Sequence, residues 1–359
     1  MMVPPVWRVG VRRWIHSRHD PLRIAFFGSD HFSVESLSKL KRFKDENPHV
    51  VDKLTVITRS IKPKGRYLKN LQELPVGQWA CANEVSIERA DSSEDIMRLT
   101  SVSLDMFNLA IAVSYGKLIP SQFISQCKYG GLNVHPSLLP RYSGSSPIQY
   151  ALLNDDKETG VTVQTLHPTK FDHGSIVAQS SAVEITDSDN YESLAIKLGR
   201  KGADLLVDVV SKGAFLNTRP LVNAYQRTLA PKISKSKSQA LWQELSARQV
   251  KRVYDALGAV FTFLNVTVYR KGERVNEKQR ILLRDVTELI ETSVQGNLDD
   301  LSQSGDFKLL GDGLCIKAKD GYVIARRVQP QTKPDGSAEA FMKWYKKVAS
   351  ESSPRHFVD

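Results

Sequence analysis

The sequence has few cysteines and no long apolar run. Its 359 residues include three cysteines, Cys81, Cys127 and Cys315, which lie far apart and form no metal-binding spacing. This usage argues against a disulfide framework and favours a reducing compartment. No stretch of about eighteen uncharged apolar residues occurs, which argues against a membrane span. We therefore expect a globular protein that needs no metal and does not cross a membrane.

A glycine-rich nucleotide loop is also missing. Gly28 follows the apolar run of residues 24–27, where a dinucleotide-binding fold would begin its G-x-G-x-x-G loop. The next two glycine positions of that loop are occupied by Asp30 and Ser33. With side chains there, the backbone could not approach a pyrophosphate in the usual way, so the pattern argues against NAD binding.

Acidic residues are absent from the first 19 positions, which contain four arginines among apolar residues at helical spacing. Residues 1–20 are therefore predicted to be a mitochondrial transit peptide, which places the protein in the matrix; a disordered basic tail is the alternative. Residues 20–226 carry no net charge, whereas residues 227–359 hold 23 basic and 16 acidic residues. This separation indicates that the C-terminal part binds a polyanion; a soluble surface that happens to be basic is the alternative.

Apolar runs alternate with helical patterns over the first two thirds of the chain. Strands are predicted at residues 24–27, 53–57, 109–113 and 131–135, and a helix at residues 191–212. Such alternation is typical of an open, doubly wound, mostly parallel α/β sheet of Rossmann-like form. A predicted helix at residues 242–257 then precedes short strands, which indicate a smaller β-barrel. The predicted domains are residues 21–212 and 234–359, joined by a linker at residues 213–233.

Candidate catalytic residues lie at the end of the fourth predicted strand. Asn133 and His135 are two residues apart and therefore project to the same face. An amide can donate to a developing oxyanion, and an imidazole can move a proton near neutral pH. Asp172, in a predicted turn, can orient the imidazole of His135. A polar strand end and a turn-starting aspartate are the alternatives, and His31 and His167 are read as structural or surface residues.

The sequence resembles the folate-dependent formyltransferase family from about residue 23 to residue 347. The most specific segments are residues 132–147, 160–174 and 229–233. The resemblance implies that Asn133, His135 and Asp172 are catalytic. It also implies a folate-contacting loop of Ser137, Leu138, Leu139 and Pro140, an OB-like C-terminal barrel that binds tRNA, and a basic tRNA-binding loop with Lys62, Lys64, Arg66 and Lys69. A solvated charged turn is the alternative for the basic loop.

The implied reaction is transfer of the formyl group of 10-formyltetrahydrofolate to the α-amine of methionine on an initiator tRNA, by a monomer that serves organellar translation. A small-molecule amine as acceptor, or a non-catalytic RNA-binding protein on the same fold, are the alternatives. The sequence departs from the family at Ser143, where arginine is usual, and at His173, where threonine is frequent. Ser143 leaves open how the substrate-side loop is held, and His173 places a second imidazole beside Asp172.

Overall fold

The structure is a computed structural model that describes residues 19–64, 70–101, 106–216, 225–270, 273–289, 298–349 and 355–359. The predicted transit peptide thus lies almost wholly outside the described residues, as do residues 217–224 of the predicted linker. The chain divides into two compact units. One comprises the residues up to Val134 with Val163–Ala178 and Ala203–Leu221, and the other comprises His135–Thr162, Gln179–Gly202 and Val222–Asp359. The predicted domain boundaries stay a prediction.

The first part of the chain contains eleven described strands and six α-helices. They are β1 (Leu22–Gly28), α1 (His31–Glu46), β2 (Val51–Thr58), β3 (Lys62–Lys64), β4 (Asn70–Gln72), α2 (Pro75–Ala82), β5 (Ser86–Arg89), α3 (Ser93–Ser101), β6 (Leu109–Val113), α4 (Ser121–Gln126), β7 (Gly131–His135), α5 (Pro147–Leu153), β8 (Glu158–Thr159), β9 (Thr162–Thr165), β10 (Ile176–Gln179), β11 (Val183–Glu184) and α6 (Tyr191–Lys212).

Seven of these strands form one sheet in the order β10-β9-β7-β6-β1-β2-β5. The pairings from β7 through β6, β1 and β2 to β5 are all parallel. Every residue of β6 is buried, as expected for a strand covered on both faces of a parallel sheet. The predicted open α/β fold is therefore confirmed.

Asp30 and Ser33 have a structural task at the first strand-to-helix turn. The Asp30 carboxylate accepts a hydrogen bond from the backbone N–H of Ser33, and the Ser33 hydroxyl accepts one from the backbone N–H of Asp30. This capping box satisfies N–H groups at the start of α1 that lack partners within the helix. Asp30 and Ser33, which occupy the glycine positions of a nucleotide-binding loop, thus cap the start of a helix.

The later part of the chain forms an antiparallel sheet with two helices. Its elements are α7 (Ala247–Leu257), β12 (Val260–Arg270), β13 (Glu273–Leu289), β14 (Phe307–Leu310), β15 (Gly313–Lys317), β16 (Tyr322–Pro330), β17 (Gly336–Ser337) and α8 (Ala338–Val348). The strand order is β12-β13-β16-β15-β14, with β17 paired to β16. All these pairings are antiparallel, so the predicted C-terminal barrel is confirmed as a half-barrel.

The start of α7 differs from the predicted residue 242. The helix begins at Ala247 because Ser246 caps it, with its hydroxyl accepting from the N–H of Gln249 at 3.0 Å. Trp242 lies outside the helix and is buried in the core of the half-barrel. Its indole N–H donates to Oγ1 of Thr262 at 2.9 Å. The apolar character of Trp242 therefore reflects core packing and not helical periodicity.

No helix in the part of the chain that the structure describes has both the length and the apolar content needed to cross a membrane.

Candidate active site

Two of the three predicted catalytic residues contact each other. Asn133 lies on β7, and its Nδ2 atom donates to Oδ1 of Asp172 at 3.3 Å. Asp172 adopts a left-handed backbone conformation, with φ of 53°, in the turn that leads to β10. Aspartate is among the few residue types that adopt this conformation readily. The turn thus places its carboxylate against an amide from a neighbouring part of the sheet.

A third polar residue, Gln164 on β9, shares the same carboxylate oxygen. Its Nε2 atom donates to Oδ1 of Asp172 at 3.0 Å, and the residue is only 2% exposed. Among the described residues, Oε1 of Gln164 has no hydrogen-bond partner. Gln164 was not predicted from the sequence, although its place in the alternating, strand-like stretch of residues 161–165 was a usable signal.

The turn that carries Asp172 is held closely against β9. The backbone N–H of Thr165 donates to the carbonyl of Ser175 at 2.8 Å, and the N–H of Ser175 donates to Oγ1 of Thr165 at 2.9 Å. A Cβ atom at Gly174 would lie 1.7 Å from the carbonyl oxygen of Thr165. Only glycine permits such an approach of the two backbones. Gly174 therefore helps to fix the position of Asp172.

His135 ends strand β7 and is 5% exposed. Its Nε2 atom lies 2.9 Å from the backbone carbonyl oxygen of Tyr142. The sequence did not predict this contact. The support of His135 by Asp172 stays a prediction.

Two further histidines, His167 and His173, lie close to Asp172 in the sequence and are less buried than His135. His173 is exposed, and its Nδ1 atom lies 2.6 Å from the carbonyl oxygen of Phe171. The Nδ1 atom of His167 accepts hydrogen bonds from the backbone N–H groups of Thr169 and Lys170. His167 therefore closes its own turn. Only His135 of these three is buried, which suits a residue that works in a water-poor site.

The predicted folate loop is built around the hydroxyl of Thr162, a fully buried residue of β9. Its Oγ1 atom accepts from the N–H of Leu139 at 3.0 Å and donates to the carbonyl of Ser137 at 2.7 Å. The side chain of Gln179 donates to that hydroxyl and to the carbonyl of Leu139. Ser137, Leu138 and Leu139 are buried, whereas Pro140 is half-buried. The loop is thus rigid, with Pro140 as its most accessible member.

The predicted tRNA-binding loop is described only in part. Lys62 and Lys64 lie in β3, which pairs with β4 in a two-stranded antiparallel sheet. Arg66 and Lys69 lie outside the described residues. The role of all four residues stays a prediction.

Ser143 is held by a segment from the predicted linker. Its N–H donates to the carbonyl of Thr228 at 2.9 Å, and its Oγ accepts from the guanidinium of Arg227 at 3.0 Å. The guanidinium of Arg227 therefore contacts Ser143, the position at which arginine is usual in the family that the sequence resembles. In the described residues, no group of three or more His, Cys, Asp or Glu residues could hold a metal ion.

Comparison with known proteins finds methionyl-tRNA formyltransferases of mitochondrial and bacterial origin among the similar sequences. The mitochondrial methionyl-tRNA formyltransferase of Saccharomyces cerevisiae is 34% identical over 326 residues, which cover 80% of this chain and 80% of that protein. The methionyl-tRNA formyltransferase of Thermodesulfovibrio yellowstonii is 30% identical over 331 residues, which cover 89% of this chain and 94% of that protein.

The fold is shared with solved structures as well. An N-formyltransferase from Helicobacter canadensis, in complex with folinic acid and dTDP-3-aminofucose, matches with a TM-score of 0.55 at 15% identity and covers 85% of this chain and 98% of that chain. Residues 22–210 match the family described as Formyl transferase. The chain therefore belongs to the formyl transferase family, which confirms the predicted resemblance.

Proposed function

We propose that this enzyme transfers the formyl group of 10-formyltetrahydrofolate to the α-amine of methionine on an initiator methionyl-tRNA. The observation that carries the proposal is the cluster of Asn133, Gln164 and Asp172, in which two amides meet one carboxylate oxygen inside the formyl transferase region. The relatives named as methionyl-tRNA formyltransferases supply the acceptor, since they match most of the chain.

Asn133 is the proposed oxyanion donor. Attack of the amine on the formyl carbon gives that carbon's oxygen a negative charge, which a positioned N–H can stabilise. A side-chain amide carries two N–H donors, so a single bond to Asp172 still permits Asn133 to donate to the oxyanion. Removing one such donor typically slows turnover by about 10²–10³-fold.

His135 and Asp172 are the proposed proton-handling pair. The attacking amine must lose a proton, and N10 of the folate must gain one as its bond to the formyl carbon breaks. Imidazole and carboxylate groups are suited to this transfer near neutral pH. Gln164 and Asn133 orient the carboxylate by donating to Oδ1 of Asp172. Gln164 therefore has a positioning role in the proposed mechanism.

The proposed folate site includes the loop of Ser137, Leu138, Leu139 and Pro140. Thr162 and Gln179 tie its backbone to the edge of the sheet, which pre-organises the loop before binding. The buried side chains of Leu138 and Leu139 hold the loop in place. Contacts to the folate then come from the loop backbone and Pro140.

The tRNA is proposed to bind the basic C-terminal part of the chain and the loop with Lys62, Lys64, Arg66 and Lys69. Residues 227–359 hold 23 basic against 16 acidic residues, as a phosphate-binding surface requires. Replacing Lys62, Lys64 and Arg66 by alanine should raise the KM for tRNA and leave the KM for folate unchanged. A control variant removes the same charge from Lys41, Arg42 and Lys44 of α1. Equal effects of the two variants would remove the loop from the proposal.

The decisive experiment incubates the purified chain with methionyl-tRNA and 10-formyltetrahydrofolate and measures formylmethionine. Formylation is expected, with a drop of about 10²–10³-fold in Asn133→Ala and a severe loss in His135→Ala. Asn83→Ala, at an exposed position directly after α2, is the matched control. Formylation of a small amine but not of methionyl-tRNA would favour the small-molecule alternative. Binding of tRNA without transfer would favour the RNA-binding alternative.

The proposed location is the mitochondrial matrix, where the enzyme acts as a monomer in translation initiation. Support comes from the mitochondrial relative and from the acid-free, arginine-containing first 19 residues. Fusing residues 1–20 to a fluorescent protein should direct it to mitochondria. A fusion that stays in the cytosol would contradict the assignment of a transit peptide.

A further inference from the structure

Tyr142 has a left-handed backbone conformation that tyrosine rarely adopts. Its φ is 56°, and the residue is only 6% exposed. For a bulky side chain this region is sterically unfavourable, and such strain persists only where the surroundings fix it. Strained residues of this kind cluster at functional sites, so the contacts of Tyr142 indicate what the strain achieves.

Three of those contacts hold the residue in place. The N–H of Tyr142 donates to Oγ1 of Thr228 at 2.8 Å. Its phenol donates to Oδ2 of Asp156 at 2.7 Å and accepts from Nδ2 of Asn154 at 2.9 Å. Burial raises the pKa of the phenol, which keeps it protonated as the donor to Asp156. Hydrogen bonds thus hold both the side chain and the backbone N–H of Tyr142, and these bonds fix the direction of its backbone carbonyl.

That carbonyl is the partner of His135. It lies 2.9 Å from Nε2 of the imidazole. A carbonyl oxygen only accepts hydrogen bonds, so Nε2 must carry the hydrogen in this contact. The nitrogen that can gain or lose a proton during a reaction is therefore Nδ1.

The segment that supplies Thr228 is paired to the same loop along its backbone. The N–H of Thr228 donates to the carbonyl of Pro140, and the N–H of Ala230 donates to the carbonyl of Ser143 at 2.8 Å. Gly144 has φ of 136°, and a Cβ atom there would lie 2.3 Å from the carbonyl oxygen of Ala230. The absence of a side chain at Gly144 permits this close pairing. Residues 228–230 therefore form a strap across the loop that carries Tyr142.

We propose that Tyr142 and Thr228 are positioning residues for His135. The hydroxyl of Thr228 holds the N–H of the left-handed Tyr142, and the Tyr142 carbonyl fixes the imidazole with its hydrogen on Nε2, which makes Nδ1 the proton-exchanging atom. Through these contacts, the strap of residues 228–230 determines which ring nitrogen of His135 carries the hydrogen. This inference rests on the proposed function, because it assigns His135 a role in proton transfer.

Thr228→Val tests the proposal, since valine keeps the shape of threonine and removes the acceptor for the Tyr142 N–H. We expect kcat for formylation to fall by about tenfold, as for the loss of one buried hydrogen bond, with the KM values for tRNA and folate unchanged. Thr228→Ser is the matched control, because it keeps the hydroxyl and should retain the parental kcat.

A spectroscopic measurement separates positioning from general structural damage. In ¹⁵N-histidine-labelled protein, the signals lost in His135→Gln identify His135, and their shifts report which ring nitrogen carries the hydrogen. Unmodified protein and Thr228→Ser should show hydrogen on Nε2, whereas Thr228→Val should show a mixture of tautomers. This measurement needs no substrate. It therefore still tests the positioning of His135 if the protein does not formylate methionyl-tRNA.

Three results would overturn the proposal. The first is an Nδ1–H tautomer of His135 in the unmodified protein. The second is a Thr228→Val variant with parental kcat, and the third is a Thr228→Val variant with altered KM values and an unchanged His135 spectrum. If Thr228→Val does not fold, Tyr142→Phe replaces it. Loss of the phenol contacts to Asp156 and Asn154 should change the same ¹⁵N signals of His135. An unchanged His135 spectrum in Tyr142→Phe would also contradict the proposal.

Discussion

The Nε2 atom of Gln164 donates a hydrogen bond to Oδ1 of Asp172 across 3.0 Å. Because Asn133 donates to the same oxygen, this carboxylate is held between two amides from two different strands. In the proposed mechanism Gln164 acts on the reaction by orienting Asp172, without contact with a substrate. A substitution at Gln164 can therefore change the formylation rate without a comparable change in the free energy of unfolding.

Gln164→Met should slow formylation more than it destabilises the protein. The substitution removes one donor to Asp172, and we expect kcat to fall by about tenfold. It also removes the buried Oε1 atom, which lacks a partner among the described residues, so the free energy of unfolding should change by less than about 1 kcal/mol. Formylation kinetics and urea unfolding measure the two effects.

Gln179→Met is the control for this substitution. The Gln179 amide holds the carbonyl of Leu139 and the hydroxyl of Thr162, so its loss should raise the KM for folate. Parental kcat in Gln164→Met, or the same kinetic pattern in both variants, would show that Gln164 does not act through Asp172.

Thr162→Val should weaken folate binding. The residue is fully buried, and its hydroxyl makes hydrogen bonds with Ser137, Leu139 and Gln179. Valine leaves those three groups without this partner, which should lower the free energy of unfolding by about 2 kcal/mol and raise the KM for 10-formyltetrahydrofolate by about tenfold. Thr162→Ser keeps the hydroxyl and should restore the parental KM. A folate KM that Thr162→Val leaves unchanged would separate the loop from folate binding.

Much of the central sheet could be predicted from the sequence. The bounds of β6, β7 and α6 match the predicted ones, because continuous apolar runs and a long helical pattern mark buried strands and an amphipathic helix. Strand β5 was not predicted, since Ser86–Arg89 lies at the edge of the sheet and alternates between exposed and half-buried positions. Its position depends on pairing with β2, which local sequence does not encode.

The candidate site was predictable only in its residue types. Asn133 and Asp172 were named from strand spacing, turn pattern and resemblance, and the structure brings them together across 39 positions of sequence. The contact of Tyr142 with Thr228 joins residues 86 positions apart. No local pattern marks such a contact, because it follows from the path of the chain around the loop. Gln164 could have been predicted from the sequence, whereas the pairing of residues 228–230 with the loop of Tyr142 could not.

Arg252→Met should destabilise the second unit. Arg252 is 1% exposed, and its guanidinium bonds Oδ1 of Asp155 at 2.6 Å and Oδ2 of Asp255 at 3.2 Å. Burial opposes ionisation of Asp155, but Arg248 and Arg252 outweigh it and lower the pKa of Asp155 to about 2. Without Arg252, two carboxylates lose their most buried cation, so the free energy of unfolding should fall by about 3 kcal/mol.

Arg248→Met is the matched comparison for this prediction. Its side chain is 25% exposed, so solvent screens the pair with Asp155, and the expected loss is about 1 kcal/mol. Urea unfolding of both variants measures the difference. An equal loss in the two would show that burial of Arg252 does not determine the strength of the cluster.

Asp189 should make stability depend on pH in the acid range. Its side chain is 3% exposed and accepts hydrogen bonds from Thr186, Ser193 and Lys197 at the start of α6. Burial would raise its pKa, but these bonds, led by that of Lys197, lower it from 3.8 to about 2. The folded state therefore favours the ionised carboxylate.

The stabilisation by Asp189 should be complete above about pH 4, where the unfolded carboxylate is also ionised, and should disappear as the pH falls through about 2. Asp189→Asn should consequently lower the free energy of unfolding by about 2 kcal/mol at pH 7, and its deficit should shrink between about pH 4 and pH 2. Asp208→Asn, in an exposed pair with Lys212, is the control and should show only a small deficit at pH 7. Urea unfolding curves at several pH values measure the deficit, and a constant deficit for Asp189→Asn would mean that the residue stabilises α6 through contacts that do not depend on its charge.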